Sequence, residues 1–213
     1  CDRRQRQMCI RDRDYKAYLI RTLLNRLFKM RMNAWAFENP SYKKASIQYS
    51  SFLNATGVLL CSVELLPGKM EKGISEFIAQ QEQIFRYGFT RAEIERAKKV
   101  IYNNLENKLQ NQQNPTSIEL MNDVYADFYV GNRFTSLQEE YQLVQLYFPE
   151  IDSVALARNL AKVYSPRKMH YLLRANEKAD KEVGGDMTLM AIIKEARKQS
   201  LERYNKHVSV PDE

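Results

Sequence analysis

The sequence predicts an α+β fold, an antiparallel sheet flanked by several helices. Three observations predict it. Two β-rich runs, KASIQYSSFL and TGVLLCSVELL, follow each other with a turn sequence between them. Apolar residues at helical spacing occur before these runs and recur in several segments after them. The stretch GFTRAEIERAKK opens one of those helices with a reciprocal cap written into its residues.

The first thirteen residues stand apart from this pattern. CDRRQRQMCIRDR holds five arginines, two aspartates and two cysteines, with little that is apolar. RRQRQMCIRDR, Arg3 to Arg13, resembles one reading frame of a transposon-type sequencing adapter. Residues 1–13 are read as a translated artefact and set aside, as an expression tag would be. The remaining chain is then expected to be a fragment that starts near Asp14.

From Tyr15 to Ala34, Ile20, Leu23, Leu24, Leu27 and Met30 or Arg31 fall on successive turns, which predicts a helix. Pro40 closes the linker after it. The two β-rich runs come next, with Asn54-Ala55-Thr56-Gly57 supplying turn chemistry. In the second run Leu59, Cys61, Val63 and Leu65 alternate with Val58, Leu60, Ser62 and Glu64. One face is mostly apolar and the other mixed, so the hairpin places one face on a core. Pro67-Gly68 ends it.

A helix over about Met70–Tyr87 follows, with Ile74, Phe77, Ile78, Gln81, Ile84 and Phe85 on one stripe and Gly88 past its end. Thr90 and Glu93 then form a capping box, with Phe89 and Ile94 placed as a hydrophobic staple. Ile94, Ala97, Ile101, Leu105 and Leu109 run down one face. Asn114-Pro115 starts a helix that buries Ile118, Met121, Val124, Tyr125 and Phe128, with Gly131 as terminator. Ser136 and Glu139 cap another helix, to about Phe148. Asp152 or Ser153 opens the next, through Leu156, Leu160 and Tyr164. KMHYLLRA, 168–175, has the content of a strand. A polar loop around Gly184-Gly185 leads to a helix from about Met187 to Tyr204, and HVSVPDE reads as the start of a linker.

Composition bounds what this fold can do. A length of 213 residues allows one domain, or a large and a small piece. The chain is 44% hydrophobic with 7 Gly and 6 Pro, enough to bury a core and too ordered in character for low complexity. No apolar run reaches the ~18 residues of a membrane span, and none follows the arginines as in a signal peptide. The net charge of +7 suggests nucleic acid, but residues 1–13 carry +3 of it. The other basic residues mix with Glu as on a solvated face. The aromatics at helical spacing read as core, and Tyr42 and Tyr49 beside Lys43 and Lys44 are too few for a stacking platform. No nucleic-acid partner is expected.

Catalytic motifs are missing. His170 and His207 are too far apart for H-x-x-E-H or its inverse, and no carboxylate or cysteine is spaced near either for a metal. There is no phosphate-binding glycine loop and no G-x-S-x-G. Glu93 has its capping role, and Glu95 turns away from it on the helix. Cys61 is the lone cysteine after residue 13 and reads as a small buried hydrophobe. Asn54-Ala55-Thr56 matches a glycosylation sequon, but its turn role suffices. The sequence thus predicts no catalytic, cofactor-binding or metal-ligating residue in this chain.

The order of elements resembles the insulinase/pitrilysin-like zinc metallopeptidase family. YGFTRAEIERAKKVIYNNLE resembles the family's G-[FI]-[TS]-x-x-E-[LI]-x-x-A-K segment, matched at Gly88, Phe89, Thr90, Glu93, Ile94, Ala97 and Lys98. DYKAYLIRTLLNRL is similar to the helix before the hairpin. EEYQLVQLYFPEIDSVALARNLAKVYSPRKMHYLLRANEK is similar to later helices and a returning strand of the same domain. The resemblance is to the second, non-zinc-binding domain of a long bacterial member. It covers 14–178, truncated at the N-terminal strands, and 179–213 would be loop, helix and the start of an inter-domain linker.

The resemblance implies a clamshell of homologous domains around a peptide-sized chamber. The zinc site belongs to the family's first domain, and no position here matches it. The Arg and Tyr residues that some members use on substrate belong to another domain, and none is transferred. The chain is expected to supply scaffold and chamber wall to a zinc-dependent peptide hydrolase. Its partners would be the remaining domains of the polypeptide and, through the chamber, peptides. Zinc would sit in the intact parent and not here, and the compartment would be bacterial periplasm or cytoplasm. The alternative is a non-catalytic structural or peptide-binding homologue.

Overall fold

The first helix shows how this chain builds its core. In α1 (Arg3–Ala36), Leu19, Ile20, Leu23, Leu24, Leu27, Phe28, Arg31, Met32 and Trp35 are buried. That is one continuous stripe at three- and four-residue spacing. Burial of each large side chain stabilises by roughly 1.5–3 kcal/mol, so the stripe fixes the helix against its neighbours. The computed structural model describes residues 3–38, 40–52, 56–110, 116–130, 136–165, 168–199 and 202–204.

The hairpin follows as predicted. Strands β1 (Tyr42–Phe52) and β2 (Thr56–Leu65) pair antiparallel, from Tyr42 opposite Leu65 to Phe52 opposite Thr56, with an irregularity between Tyr42 and Lys44. Ala45, Ile47 and Tyr49 of β1 and Leu59, Cys61, Val63 and Leu65 of β2 turn to the core. The other face is exposed and carries a Ser46–Ser62 hydrogen bond of 2.8 Å and a Lys43–Glu64 ion pair of 2.7 Å. The outer edge of β1 meets α1. There the Asn25 side-chain amide donates to the Tyr49 carbonyl at 2.8 Å, and its oxygen accepts from the Tyr49 N–H at 2.7 Å. A side chain thus supplies one rung of hydrogen bonding to the edge of β1.

Helix α2 (Met70–Tyr87) divides the interior in two. Phe77 and Ile84 face the main core with α1 and the sheet, while Ile74 and Ile78 face a second cluster. Gly73 lets α2 approach the hairpin: a Cβ there would sit 2.7 Å from the Ser41 carbonyl oxygen and 3.0 Å from Leu65. The same junction is tied by Glu76, which accepts from the Ser41 N–H at 2.6 Å, and by the Tyr42 hydroxyl donating to Gln80 at 2.6 Å. Gly88 takes φ 66° with ψ −146°, a region open to glycine but not the αL conformation of a usual helix end.

Helix α3 (Arg91–Gln110) starts at its reciprocal cap. The Glu93 N–H donates to Thr90 Oγ1 at 3.3 Å and the Thr90 N–H to Glu93 Oε2 at 2.8 Å. Phe89 and Ile94 are buried in one cluster, as a staple requires. The box at Ser136 and Glu139 forms equally and opens α5 (Leu137–Tyr147), which passes into a 3-10 turn, Phe148–Glu150. Asp152 caps α6 (Ser153–Val163) by accepting from the Ala155 N–H at 2.8 Å. The remaining helices are α4 (Ser117–Val130), α7 (Glu177–Val183) and α8 (Gly185–Lys198). Val183, Leu189, Ile193 and Ala196 of α7 and α8 complete the second cluster against α2.

Five expectations need correction. The apolar face of α4 is not buried. Ile118, Met121, Val124, Tyr125 and Phe128 are 59–79% exposed, because no described element lies over that face. Residues 168–175 form no strand. Met169, Tyr171 and Leu173 are half-buried and alternate with exposed His170, Leu172 and Arg174. The pleat-like alternation is present, but among the described residues no strand lies alongside to complete a ladder. The segment before Gly184 is not all loop: α7 forms there and buries Val183. Helix α8 ends at Lys198, not Tyr204, because Arg86 of α2 binds the carbonyls of Arg197 and Gln199. Of the expected Asn54–Gly57 turn, Thr56 and Gly57 instead open β2, paired opposite Phe52 and Ser51; Asn54-Ala55, the Asn114-Pro115 start, the Gly131 stop and the HVSVPDE linker lie outside the described residues.

Candidate functional site

Two buried polar centres are built where helices cross. The first joins α1 to the start of α3. Arg31 occupies a position on α1's apolar stripe, and its side chain is 1% exposed. Its Nε and Nη2 donate to the two oxygens of Glu93 at 2.7 and 2.6 Å. A planar fork against a carboxylate is the geometry that best offsets the desolvation of both ions. Aromatic rings enclose the guanidinium, with the Tyr204 centroid 3.8 Å away and those of Phe89 and Trp35 at 5.4 and 5.6 Å. Among the described residues Arg31 Nη1 has no hydrogen-bond partner.

The second centre gathers on Glu82 of α2. Its carboxylate accepts from the Tyr164 hydroxyl beyond α6, and Arg197 of α8 and Arg86 of α2 approach it at 3.3 and 3.6 Å. Arg197 also donates to the Tyr171 hydroxyl and to Met169 Sδ at 3.4 Å. Phe85 stacks on Tyr164 with centroids 3.8 Å apart and planes 4° from parallel. Burial, then the Glu82 carboxylate, push the Tyr164 phenol above its ordinary range. Burial also raises Tyr171, against the opposing pull of Arg197. One acid thus ties together α2, the end of α6, the extended segment and α8.

Neither centre has the form of an active site. Both carboxylates are already held by guanidinium groups. Glu95 pairs on the helix surface with Lys98 at 3.4 Å. Cys61 lies on the core face of β2, and burial pushes its thiol up to about 11 against the downward effect of the Gln81 side chain. It is a thiol, not a thiolate nucleophile, near neutral pH. His170 is exposed on the extended segment, and His207 lies outside the described residues. Among the described residues no three His, Cys, Asp or Glu side chains group so as to hold a metal ion. Among the described residues none groups to hold a zinc ion, which the family resemblance places in the family's first domain.

The sequence pattern placed Arg31 and Glu93 on the right faces but did not bring them together. An arginine on an apolar stripe was the available signal for a buried partner. Glu82, Tyr164, Tyr171 and Arg197 carried no local motif, because their meeting depends on how α8 returns to α2.

No protein-family model matches the sequence, and no curated protein matches it closely. Solved structures do match. The periplasmic protease PqqL from Escherichia coli superposes with a TM-score of 0.76 at 19% identity, over 91% of this chain and 22% of that one. A structure of the first half of PqqL gives 0.77 at 19% identity, over 91% and 42%. An insulinase family protease predicted from Yersinia pestis gives 0.57 at 13% identity, over 87% and 39%. The chain therefore shares an α+β fold with part of these proteins and spans about a fifth of the PqqL chain.

Proposed function

We propose that this chain is a wall and support domain of an insulinase-type peptide hydrolase, corresponding to the second, non-zinc-binding domain. The observation that carries the reading is the fold: it matches PqqL over 91% of this chain yet accounts for 22% of that protein. It also matches within the first half of PqqL. The GFTRAEIERAKK cap, present in the sequence and formed in the structure, supports the same reading.

In this reading the chain contributes surface and rigidity. The two buried polar centres hold the helices at fixed crossings, which suits a wall that must keep its shape around a peptide. The exposed apolar face of α4 offers a place for a neighbouring domain of the same polypeptide to pack. Zinc and its ligands would belong to another domain, and the metal supplies the activated water in such enzymes. Of the two expected compartments, the periplasm is favoured by the description of PqqL. No described helix is long and apolar enough to cross a membrane. Residues 1–13 would be a translated adapter, although Arg3–Arg13 continue α1 in the N-terminal direction.

The test compares this chain with the full polypeptide its genomic locus encodes. The intact polypeptide should cleave a quenched-fluorescent peptide and lose that activity with a chelator. This chain alone should do neither and should retain no stoichiometric zinc after dialysis. Zinc-dependent cleavage by this chain alone would refute the wall role. Peptide binding without cleavage by the intact polypeptide would favour the non-catalytic homologue.

A further inference from the structure

The chain after α8 does not simply leave the molecule. Gln199 donates through its side chain to Ser75 Oγ at 3.2 Å, and its carbonyl accepts from Arg86 at 3.4 Å. The Glu202 carbonyl accepts from the Gln83 side chain at 2.8 Å. The Arg203 guanidinium lies 5.9 Å from the Tyr87 ring centre. Tyr204 then covers the Arg31 guanidinium at 3.8 Å and meets Trp35 edge-on at 6.1 Å and 89°. These grips follow α2 to its C-terminal end and finish on α1.

We propose that Gln199 and Glu202–Tyr204 form a releasable strap, latched by Tyr204 over the Arg31–Glu93 pair. The latch and the dryness of that pair depend on one another. The Tyr204 ring provides the face on which a guanidinium with an unpartnered Nη1 rests. With the ring gone, water reaches that nitrogen and solvates it, so the buried pair stops favouring the closed strap. The other grips are a few hydrogen bonds and one cation–ring contact at the surface, each weak by itself. The strap therefore opens as a unit. Any pull on the chain beyond residue 204 is transmitted to the junction of α1 with α3. This inference does not rest on the peptidase reading.

Trp35 is the only tryptophan in the chain and sits under the latch. Acrylamide quenching of its fluorescence therefore reports opening, and trypsin cleavage after Arg203, located by mass spectrometry, reports it independently. Tyr204→Ala should raise Trp35 quenching and speed cleavage after Arg203 by roughly tenfold, since cleavage follows the open population. Tyr204→Phe keeps the ring and should behave as the parent chain. Gln83→Ala, which loosens the strap while leaving Tyr204, should give a smaller increase in cleavage. If Tyr204→Ala does not fold, Gln83→Ala decides the matter. Unchanged quenching and cleavage in a cooperatively melting Tyr204→Ala chain, or unchanged cleavage in Gln83→Ala where that variant decides, would overturn the strap.

Discussion

Arg31 and Glu93, 62 positions apart, meet through two hydrogen bonds of 2.7 and 2.6 Å. The same Glu93 Oε2 that takes Arg31 Nη2 also accepts from the Thr90 N–H at 2.8 Å. A local helix cap and a tertiary ion pair thus share one carboxylate. The cap holds the carboxylate in the orientation in which it meets Arg31, and Arg31 neutralises a charge that burial would otherwise disfavour.

The two roles separate by mutation. Thr90→Ala removes one side of the cap and should cost about 1 kcal/mol. Glu93→Ala removes the cap's other half and strands Arg31, which should cost about 3–5 kcal/mol. Urea unfolding of both variants measures the difference. Equal losses would mean that the pair adds nothing beyond the cap.

Asn25 should matter more than a half-buried polar residue on a helix usually does. Asn25→Ala leaves the Tyr49 N–H and carbonyl without their present partners. Orphaning buried polar groups costs about 1–3 kcal/mol each, less where water reaches them. The specific readout is hydrogen exchange. The Tyr49 amide should exchange markedly faster in the variant, while the α5 amides should not change. An unaltered Tyr49 amide would show that water replaces the side chain without loss.

Gly73→Ala tests the approach of α2 to the hairpin. Alanine is normally the better helix former by about 1 kcal/mol. Here its Cβ would meet a backbone oxygen at 2.7 Å, which cannot rotate away. The overlap should outweigh propensity and leave the variant about 1–3 kcal/mol less stable. A rise in melting temperature would show that the junction slides freely.

These cases explain what the sequence could reveal. Helix starts were legible because their signals are local: Thr90 with Glu93, Ser136 with Glu139, and Asp152 all cap as their spacing implies. The hairpin was legible from its alternation, and the α1 stripe from its period. Gly73 and Asn25 carried no such signal, since a glycine early in a helix or an asparagine within one acquires its role only from what lies opposite. Residues 168–175 misled for a related reason. Alternation describes a strand's faces, whereas strand formation also needs a neighbour. The candidate centres were half legible: Glu93 through its cap, Glu82 and Arg197 not at all.

Cys61 predicts a pH dependence. Its thiol titrates at about 11 in the fold against an ordinary 9.0. The folded state therefore favours the protonated form. Its contribution to stability is complete below about pH 9, falls as pH rises, and is gone above about 11. Tyr15, Tyr42, Tyr102, Tyr164 and Tyr171, all raised above their ordinary 10.0, begin to add their own loss from about pH 9 upward. Between pH 9 and 10 Cys61 therefore contributes to a loss that these tyrosines share. Cys61→Ala should partly flatten that part of a denaturation-against-pH curve, and an identical slope in the variant would remove the thiol from the account.

Helix α4 gives the opposite kind of prediction. Its sequence has the period of a buried helix, and a core Met→Ala or similar truncation would cost about 2–5 kcal/mol. Yet Met121 and Val124 are 66% and 60% exposed. In this chain Met121→Gln and Val124→Thr together should leave the melting temperature unchanged within error, because water already contacts both side chains. The same pair of changes in the full polypeptide should lower its stability if a neighbouring domain covers the face, since polar groups would then be buried without partners. Measuring both backgrounds separates the two conditions. A large loss in this chain alone would mean that α4 packs on the domain after all. No loss in either would mean that the apolar period of α4 serves neither core nor interface.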